Sequence, residues 1–429
     1  MTKLVGLYTG TLQMIEDPVY FDVLKQELGL THVIMGGAYT LTEATKALNP
    51  MPPGSEDEAP ARGSSDDSEL RKAIDMAHSK DLQVWFCTGG WHGGGGKFPD
   101  MCMQDMHHRP ISQVPKMRFS LEQNSMATCP SDEKMSAWLR AVMKDVMTSY
   151  PYDGVDLTHF RYTAPSFLHN LFGCGCTRCE ALADSRGYDF NRMRNSVLTF
   201  WDRIQNLDAG EIRRATDQGI GLMDLSEWLG IDAGLTEWFD FRAGVINHNL
   251  ASFRDGAYEG AADRPIMFGS DTFPPTFARL VGHSYRDSLQ WADYTSTLIS
   301  HVEVFVLSTF ATYADHLCEW TDGLSEEDAL RFVYRLFGYD HIEKMPMSFE
   351  TLGIERPDCE NNTEALYDIV DLELKRARLY NDGSIPSYPV IKGATWSTKI
   401  VKGLVDAAEQ MGHEGIIFQG TDALVKYGD

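Results

Sequence analysis

The chain is short of positive charge: 38 lysines and arginines stand against 62 aspartates and glutamates, a formal net charge of -24 over 429 residues. That balance argues against nucleic acid or an anionic membrane surface as a partner. The acidity serves solubility and says nothing of a substrate. No uninterrupted apolar run approaches the roughly 20 residues that cross a bilayer, so no membrane association is expected. The N-terminal residues given do not read as a secretory leader, and none is expected. Met1-Thr-Lys-Leu-Val-Gly-Leu-Tyr8 enters a strand pattern at once, without a longer apolar core or a small-residue cleavage site. A cytoplasmic protein is therefore expected.

Cysteine is scarce for the length. Eight residues cannot build the disulfide framework of a small secreted domain. A phosphate-binding loop is also missing: Trp91-His92 leads into four consecutive glycines, Gly93 to Gly96, but no Lys-Ser/Thr follows in register. That segment reads as a flexible lid or hairpin tip, and no organic cofactor is expected.

What is present is a rhythm. Eight short apolar runs, most ending in a small, polar or aromatic residue, alternate with segments of helical periodicity. The runs are Leu4–Thr9, His32–Gly36, Gln83–Thr88, Gly154–Phe160, Pro265–Ser270, Tyr294–Ile299, Val390–Thr395 and Gly415–Gln419. Helical patterns cover Val19–Leu28, Ser68–Ser79, Lys134–Met147 and Thr398–Met411. Eight β-α alternations imply an α/β fold with a parallel sheet, and eight is the number that closes a (β/α)8 TIM barrel. An open doubly wound sheet is the alternative.

Three long insertions are expected, after the second, third and sixth strands: Tyr39–Asp67, Gly89–Thr128 and Ser300–Tyr388. The last is largely helical, with Glu326–Phe337 and Thr363–Leu379 as its clearest helices. It reads as a small subdomain or as a contact between copies in a homo-oligomer. No composition typical of an interdomain linker occurs, so residues 1–429 are read as one barrel domain, with 300–388 inserted between strands six and seven.

Four cysteines are scattered: Cys87, Cys102, Cys318 and Cys359. The other four are organised. Cys174-Gly-Cys176-Thr-Arg-Cys179 places three thiols within six residues after the fourth strand, and Cys129 lies upstream in Thr128-Cys129-Pro130-Ser131. Tetrahedral Zn2+ takes four soft ligands from nearby backbone positions, and loops after adjacent barrel strands are neighbours. A closed four-thiolate site would be structural, with no open position for a substrate. Free thiols in a reducing compartment are the other reading.

These features together resemble a known group. Cys129-Pro130, a helix, a strand led by Tyr152-Asp-Gly154, and then Cys-x-Cys-x-x-Cys is similar to the zinc-binding arrangement of family 42 β-galactosidases. The segment Tyr152-Asp-Gly-Val-Asp-Leu-Thr-His-Phe-Arg-Tyr162 resembles uncharacterised "hypothetical glycosyl hydrolase" barrels, which commonly read Asp-Gly-Ile-His-Leu-Asp-Tyr-Ile-Arg-Tyr there. Ser270-Asp271-Thr-Phe-Pro-Pro and Glu237-Trp-Phe-Asp-Phe-Arg242 are similar to the same barrels. The resemblance covers roughly residues 80 to 300 and implies a TIM barrel, a structural zinc and a carbohydrate substrate. Two departures stand out. The family 42 Asn-Glu at the end of strand four is missing, and Thr158 replaces the Asp of the Leu-Asp-Tyr pattern. Strand seven, Lys392-Gly-Ala-Thr-Trp396, carries no nucleophilic Glu either. A retaining β-galactosidase is not expected.

Glycoside cleavage needs a carboxylic acid to protonate the leaving oxygen and a second carboxylate as base or nucleophile. Barrel active sites lie at the C-terminal strand ends. Asp271 is the best-placed carboxyl, and Asp156, within strand four, should point into the barrel, where it needs a partner. His159 is a candidate acid/base. Arg161 is a candidate anion clamp, or a structural partner of Asp156 or Asp153. Tyr8, Trp91 and Trp396 are candidate platforms for a sugar face, with His92, Gln419 and Asp422 as polar neighbours. The expectation is a glycosidase using carboxylate acid/base chemistry without a catalytic metal. The alternatives are a sugar or sugar-acid lyase or isomerase using His159 with Asp271, or a non-catalytic carbohydrate-binding barrel, which Thr158 favours.

Overall fold

A computed structural model describes residues 3–51, 63–90, 100–114, 117–121, 128–166, 172–354 and 364–426. Trp91, His92 and Cys359 lie outside those residues.

Eight parallel strands form the centre: β1 (Leu4–Tyr8), β2 (His32–Met35), β3 (Gln83–Gly89), β4 (Gly154–Thr158), β5 (Met267–Thr272), β6 (Ser296–Thr297), β7 (Val390–Lys392) and β8 (Gly415–Gln419). Their order, β6-β5-β4-β3-β2-β1-β8-β7, is continuous. Single parallel bridges, Thr295 to Ser387 and Leu298 to Val390, join the two ends. The sheet is thus a (β/α)8 TIM barrel, nearly closed, and the open doubly wound alternative is set aside.

Size alternation fills the interior, as barrel packing requires. The Trp85 ring stacks on Tyr294 with centroids 4.6 Å apart. Two glycines make room. A Cβ on Gly154 would meet the Trp85 indole at 2.7 Å, and one on Gly269 would land on the Tyr294 ring. The Asp-Gly opening of β4 therefore has a packing cause. Its Asp153 has a local one, accepting from the Val84 amide at 2.8 Å and pairing with His78 Nε2 at 2.9 Å.

Helices form where caps and periodicity agree. Ser325 caps Glu326–Phe337 through the Asp328 amide, and Gly338 ends it at φ 71°. Asp132 caps Glu133–Ser149, and Ser397 caps Thr398–Gln410. Between β6 and β7 the helices Ser308–Trp320, Glu326–Phe337 and Leu366–Asn381 follow one another. An equally helical excursion, not singled out from the sequence, separates β4 from β5. It contains Thr177–Ser185, Phe190–Gln205 and Ala209–Asp217, and ends in the 28-residue helix Gly234–Ala261. That last helix packs along Glu133–Ser149, where Gly256 and Gly260 bring it against the backbone of Arg140 and Lys144. Among the described residues no helix is long and apolar enough to cross a membrane.

Candidate active site

The C-terminal strand ends converge on one phenol. Tyr8, the last residue of β1, hydrogen-bonds Asp156 Oδ2 and, at 2.8 Å, Asp271 Oδ1. Asp156 lies mid-way along β4 and is wholly buried, while Asp271, next to last in β5, is 4% exposed. Register explains the meeting: Asp156 pairs with Gly269, so Asp271 stands one inward-facing step higher.

Hydrogen bonding distinguishes the two acids. Asp156 Oδ1 accepts from Tyr294 Oη at 2.8 Å and Ser296 Oγ at 2.9 Å, and Oδ2 accepts from Tyr8. Burial pushes the Asp156 carboxyl upward, and the hydroxyls of Tyr8, Tyr294 and Ser296 oppose that, with the one Tyr294 proton also facing the Val155 carbonyl at 2.9 Å. The Tyr8 hydroxyl also lies 2.8 Å from Asp271 Oδ1, so the two carboxyls compete for one phenol proton. Burial holds Asp271 well above the usual carboxylate range, and the Asp156 charge adds to the effect. The Thr158 hydroxyl, Tyr8 and the Arg161 charge oppose it. Burial and the two acids likewise hold the Tyr8 phenol well above its ordinary value.

The phenol also limits what the two acids can do together. Sharing one hydrogen-bonded oxygen caps the gap between their nearest oxygens at about 5.5 Å. That gap is filled by Tyr8, so no sugar ring fits between them. Tyr8, expected to be a stacking platform, is a bridge between carboxyls.

The other described residues singled out from the sequence lie at or just beyond strand ends. His159 follows β4 at φ 60°, with its Nδ1 2.9 Å from Thr158 Oγ1. Arg161 is buried, donates to the Tyr162 carbonyl at 3.0 Å, and lies over the rings of Phe273 and Phe305. Gln419 ends β8, paired in register with Lys392 of β7. Asp422 lies just beyond, in the turn after β8. Trp396, 4% exposed, donates its indole N–H to Glu303 Oε1 at 3.0 Å. Trp91 and His92 cannot be placed.

Four participants were not singled out: Tyr294, Ser296, Glu303 and His283. His283 Nδ1 accepts from the Phe273 amide at 2.9 Å, and Nε2 lies 3.3 Å from the Phe160 carbonyl. Burial and Arg161 push this histidine down to about 3, a neutral ring with both nitrogens satisfied. Glu303 had a signal: it is the lone acid in Leu298-Ile-Ser-His-Val-Glu-Val-Phe-Val-Leu307.

A second cluster lies outside the barrel. Cys129, Cys174, Cys176 and Cys179 are buried, with their sulfurs within 4.8 Å of one another. Cys129 Sγ is 3.6 Å from Cys176 Sγ and 3.5 Å from Cys179 Sγ, and Cys176 and Cys179 are 3.8 Å apart. Disulfides would need about 2.05 Å. A tetrahedron of sulfurs about 2.3 Å from a central Zn2+ has edges of about 3.8 Å, so the donor set fits such an ion. The Gln104 amide donates to Cys174 Sγ at 3.3 Å, and Ser131 Oγ lies 3.3 Å from Cys179 Sγ, contacts that would orient thiolates.

No family model and no curated protein matches this sequence. Solved structures do. The glycoside hydrolase domain of PgaB (BpsB) from Bordetella bronchiseptica is similar with a TM-score of 0.50 at 8% identity, over 99% of both chains. A β-galactosidase from the psychrophilic Marinomonas ef1 is similar with a TM-score of 0.50 at 12% identity, over 97% of this chain and 53% of that one. The present chain thus spans about half of that galactosidase. At these identities the likeness is one of fold.

Proposed function

We propose that this protein is a glycoside-processing enzyme, a hydrolase that acts on a carbohydrate, with Asp271 as its general acid. The observation that carries the reading is a pair of buried carboxyls, Asp156 and Asp271, joined by the Tyr8 hydroxyl at the C-terminal face of a TIM barrel, with burial holding Asp271 well above the usual carboxylate range. A carboxyl that keeps its proton near neutrality is what cleavage of an unactivated glycoside requires. The glycosidic C–O bond breaks, its electron pair stays with the leaving oxygen, and that oxygen takes the Asp271 proton. Water adds to the anomeric carbon and gives up a proton to a carboxylate. Asp156 acts through Tyr8 and is a positioning residue, because it is wholly buried and its lone pairs are engaged. Arg161 and the loops after β3 and β4 would contact the sugar.

The cysteine cluster is read as a structural Zn2+ site held by Cys129, Cys174, Cys176 and Cys179. Four thiolates would close the coordination sphere, so the ion would hold loops together and take no part in the chemistry.

The test is turnover of a panel of 4-nitrophenyl and methyl glycosides of common hexoses and N-acetylhexosamines. Asp271→Asn should lose about 100- to 10,000-fold in kcat/KM on methyl glycosides. It should lose far less on 4-nitrophenyl glycosides, whose leaving group departs without a proton. Equal rates for wild type and variant on a methyl glycoside would refute Asp271 as the acid.

A further inference from the structure

The reading above leaves the second carboxylate unassigned. Tyr8 fills the space between Asp156 and Asp271, and neither β4 nor β7 ends in a Glu. Glu303 stands in the remaining sector. It follows β6 in the turn Glu303–Leu307 and is 2% exposed. Its Oε1 accepts from the Trp396 indole at 3.0 Å and lies 3.8 Å from Lys392 Nζ, both contributed by β7 and the loop after it. Its Oε2 is buried and, among the described residues, has no hydrogen-bond partner.

Each contact has a consequence. Lys392 sets a positive charge beside Oε1, and Trp396 fixes the carboxyl plane through the same oxygen. The other oxygen keeps its lone pairs in a dry environment, an arrangement that is costly unless an incoming group completes it. The turn is tied to the Asp271 side of the barrel. Phe305 packs on Phe273 at 4.5 Å between centroids, and the Arg161 guanidinium lies over both rings. Strands β5 and β7 flank β6. Two strand spacings of about 4.8 Å therefore separate the backbone bearing Asp271 from that bearing Lys392, about 10 Å in all.

We infer that Glu303 is the second catalytic carboxylate, with Oε2 accepting the proton of the water that attacks the anomeric carbon while Lys392 and Trp396 hold Oε1. This rests on the glycosidase reading. In the balanced step, water's oxygen forms the new C–O bond, one of its protons passes to Glu303, and the Asp271 proton leaves with the departing alcohol. Proton exchange with solvent then resets both acids.

The experiment compares wild type, Glu303→Gln and Glu303→Asp on the same panel of 4-nitrophenyl and methyl glycosides, with and without sodium azide, and follows unfolding by circular dichroism. Glu303→Gln should lose at least about 100-fold in kcat on both leaving groups, unlike Asp271→Asn. Azide, which needs no base, should restore 4-nitrophenol release and yield a glycosyl azide. A merely structural carboxylate would not give that product. If Glu303→Gln does not fold, Glu303→Asp decides, with an expected loss of at least about 10-fold in kcat at little change in KM. Activity of the folded variant within about threefold of wild type, or loss without azide rescue, overturns the assignment of Glu303 and leaves the glycosidase reading standing. A wild type that cleaves no member of the panel overturns both.

Discussion

At the residue scale, one phenol joins two acids, Asp156 and Asp271. Burial, with the Asp156 charge beside it, holds the Asp271 carboxyl well above the usual carboxylate range, with a consequence for stability. The folded state keeps the Asp271 proton to a higher pH than the unfolded chain, which releases it near pH 3.9. The stabilisation is fully present below the unfolded value and is lost as pH rises through the raised folded value. Asparagine at 271 cannot ionise, and its amide can still donate to Tyr8. Asp271→Asn should therefore match wild type near pH 4 and melt about 2 °C or more higher at pH 8, as differential scanning calorimetry can measure. A difference that does not change with pH would refute the raised Asp271 carboxyl. Sequence reasoning identified Asp156 and Asp271 because an acid inside or at the end of a barrel strand is conspicuous. It did not anticipate that the Tyr8 hydroxyl joins them, because which hydroxyl lies between two acids depends on three strands at once.

At the element scale, a glycine pair determines how the two longest helices meet. Gly256 and Gly260 are four apart and share a face of Gly234–Ala261. A Cβ on Gly256 would come 2.6 Å from the Arg140 carbonyl oxygen, and one on Gly260 would overlap that of Lys144. Helix propensity predicts that Gly260→Ala stabilises by about 1 kcal/mol. The contact predicts the reverse, because backbone cannot swing aside as a side chain can. Gly260→Ala should destabilise by about 1–3 kcal/mol net, read from urea unfolding; a gain in stability would show that the helices separate freely. Helix extents were legible where amphipathic period and caps coincide, as in Ser68–Ser79 and Glu326–Phe337. Strand six was expected over Tyr294–Ile299 and spans only Ser296–Thr297. Its neighbours Thr295 and Leu298 make single bridges across the closing seam, a pairing that hydropathy does not encode.

At the scale of the whole molecule, the cysteine cluster joins the segment before one barrel helix to the loop after the next strand. Cys129 precedes Glu133–Ser149, Cys174 and Cys176 lead into Thr177–Ser185, and Cys179 lies in its first turn. Metal that binds only the folded state adds its binding free energy to stability. Purified protein should contain about one zinc per chain, and chelation should lower the melting temperature on the order of 5 °C. Metal analysis and thermal melts check both. Absence of metal, with all four thiols alkylated in the native state, would exclude the zinc. The barrel, the eight strand positions and the four clustered thiols were legible in order along the chain. Apolar period, turn residues and Cys-x-Cys-x-x-Cys are local signals written in consecutive residues. The raised carboxyl of Asp271, the bridging role of Tyr8 and the isolated Oε2 of Glu303 were not. Each depends on distances between groups from different strands, and these exist once the sheet has curled and its ends have met.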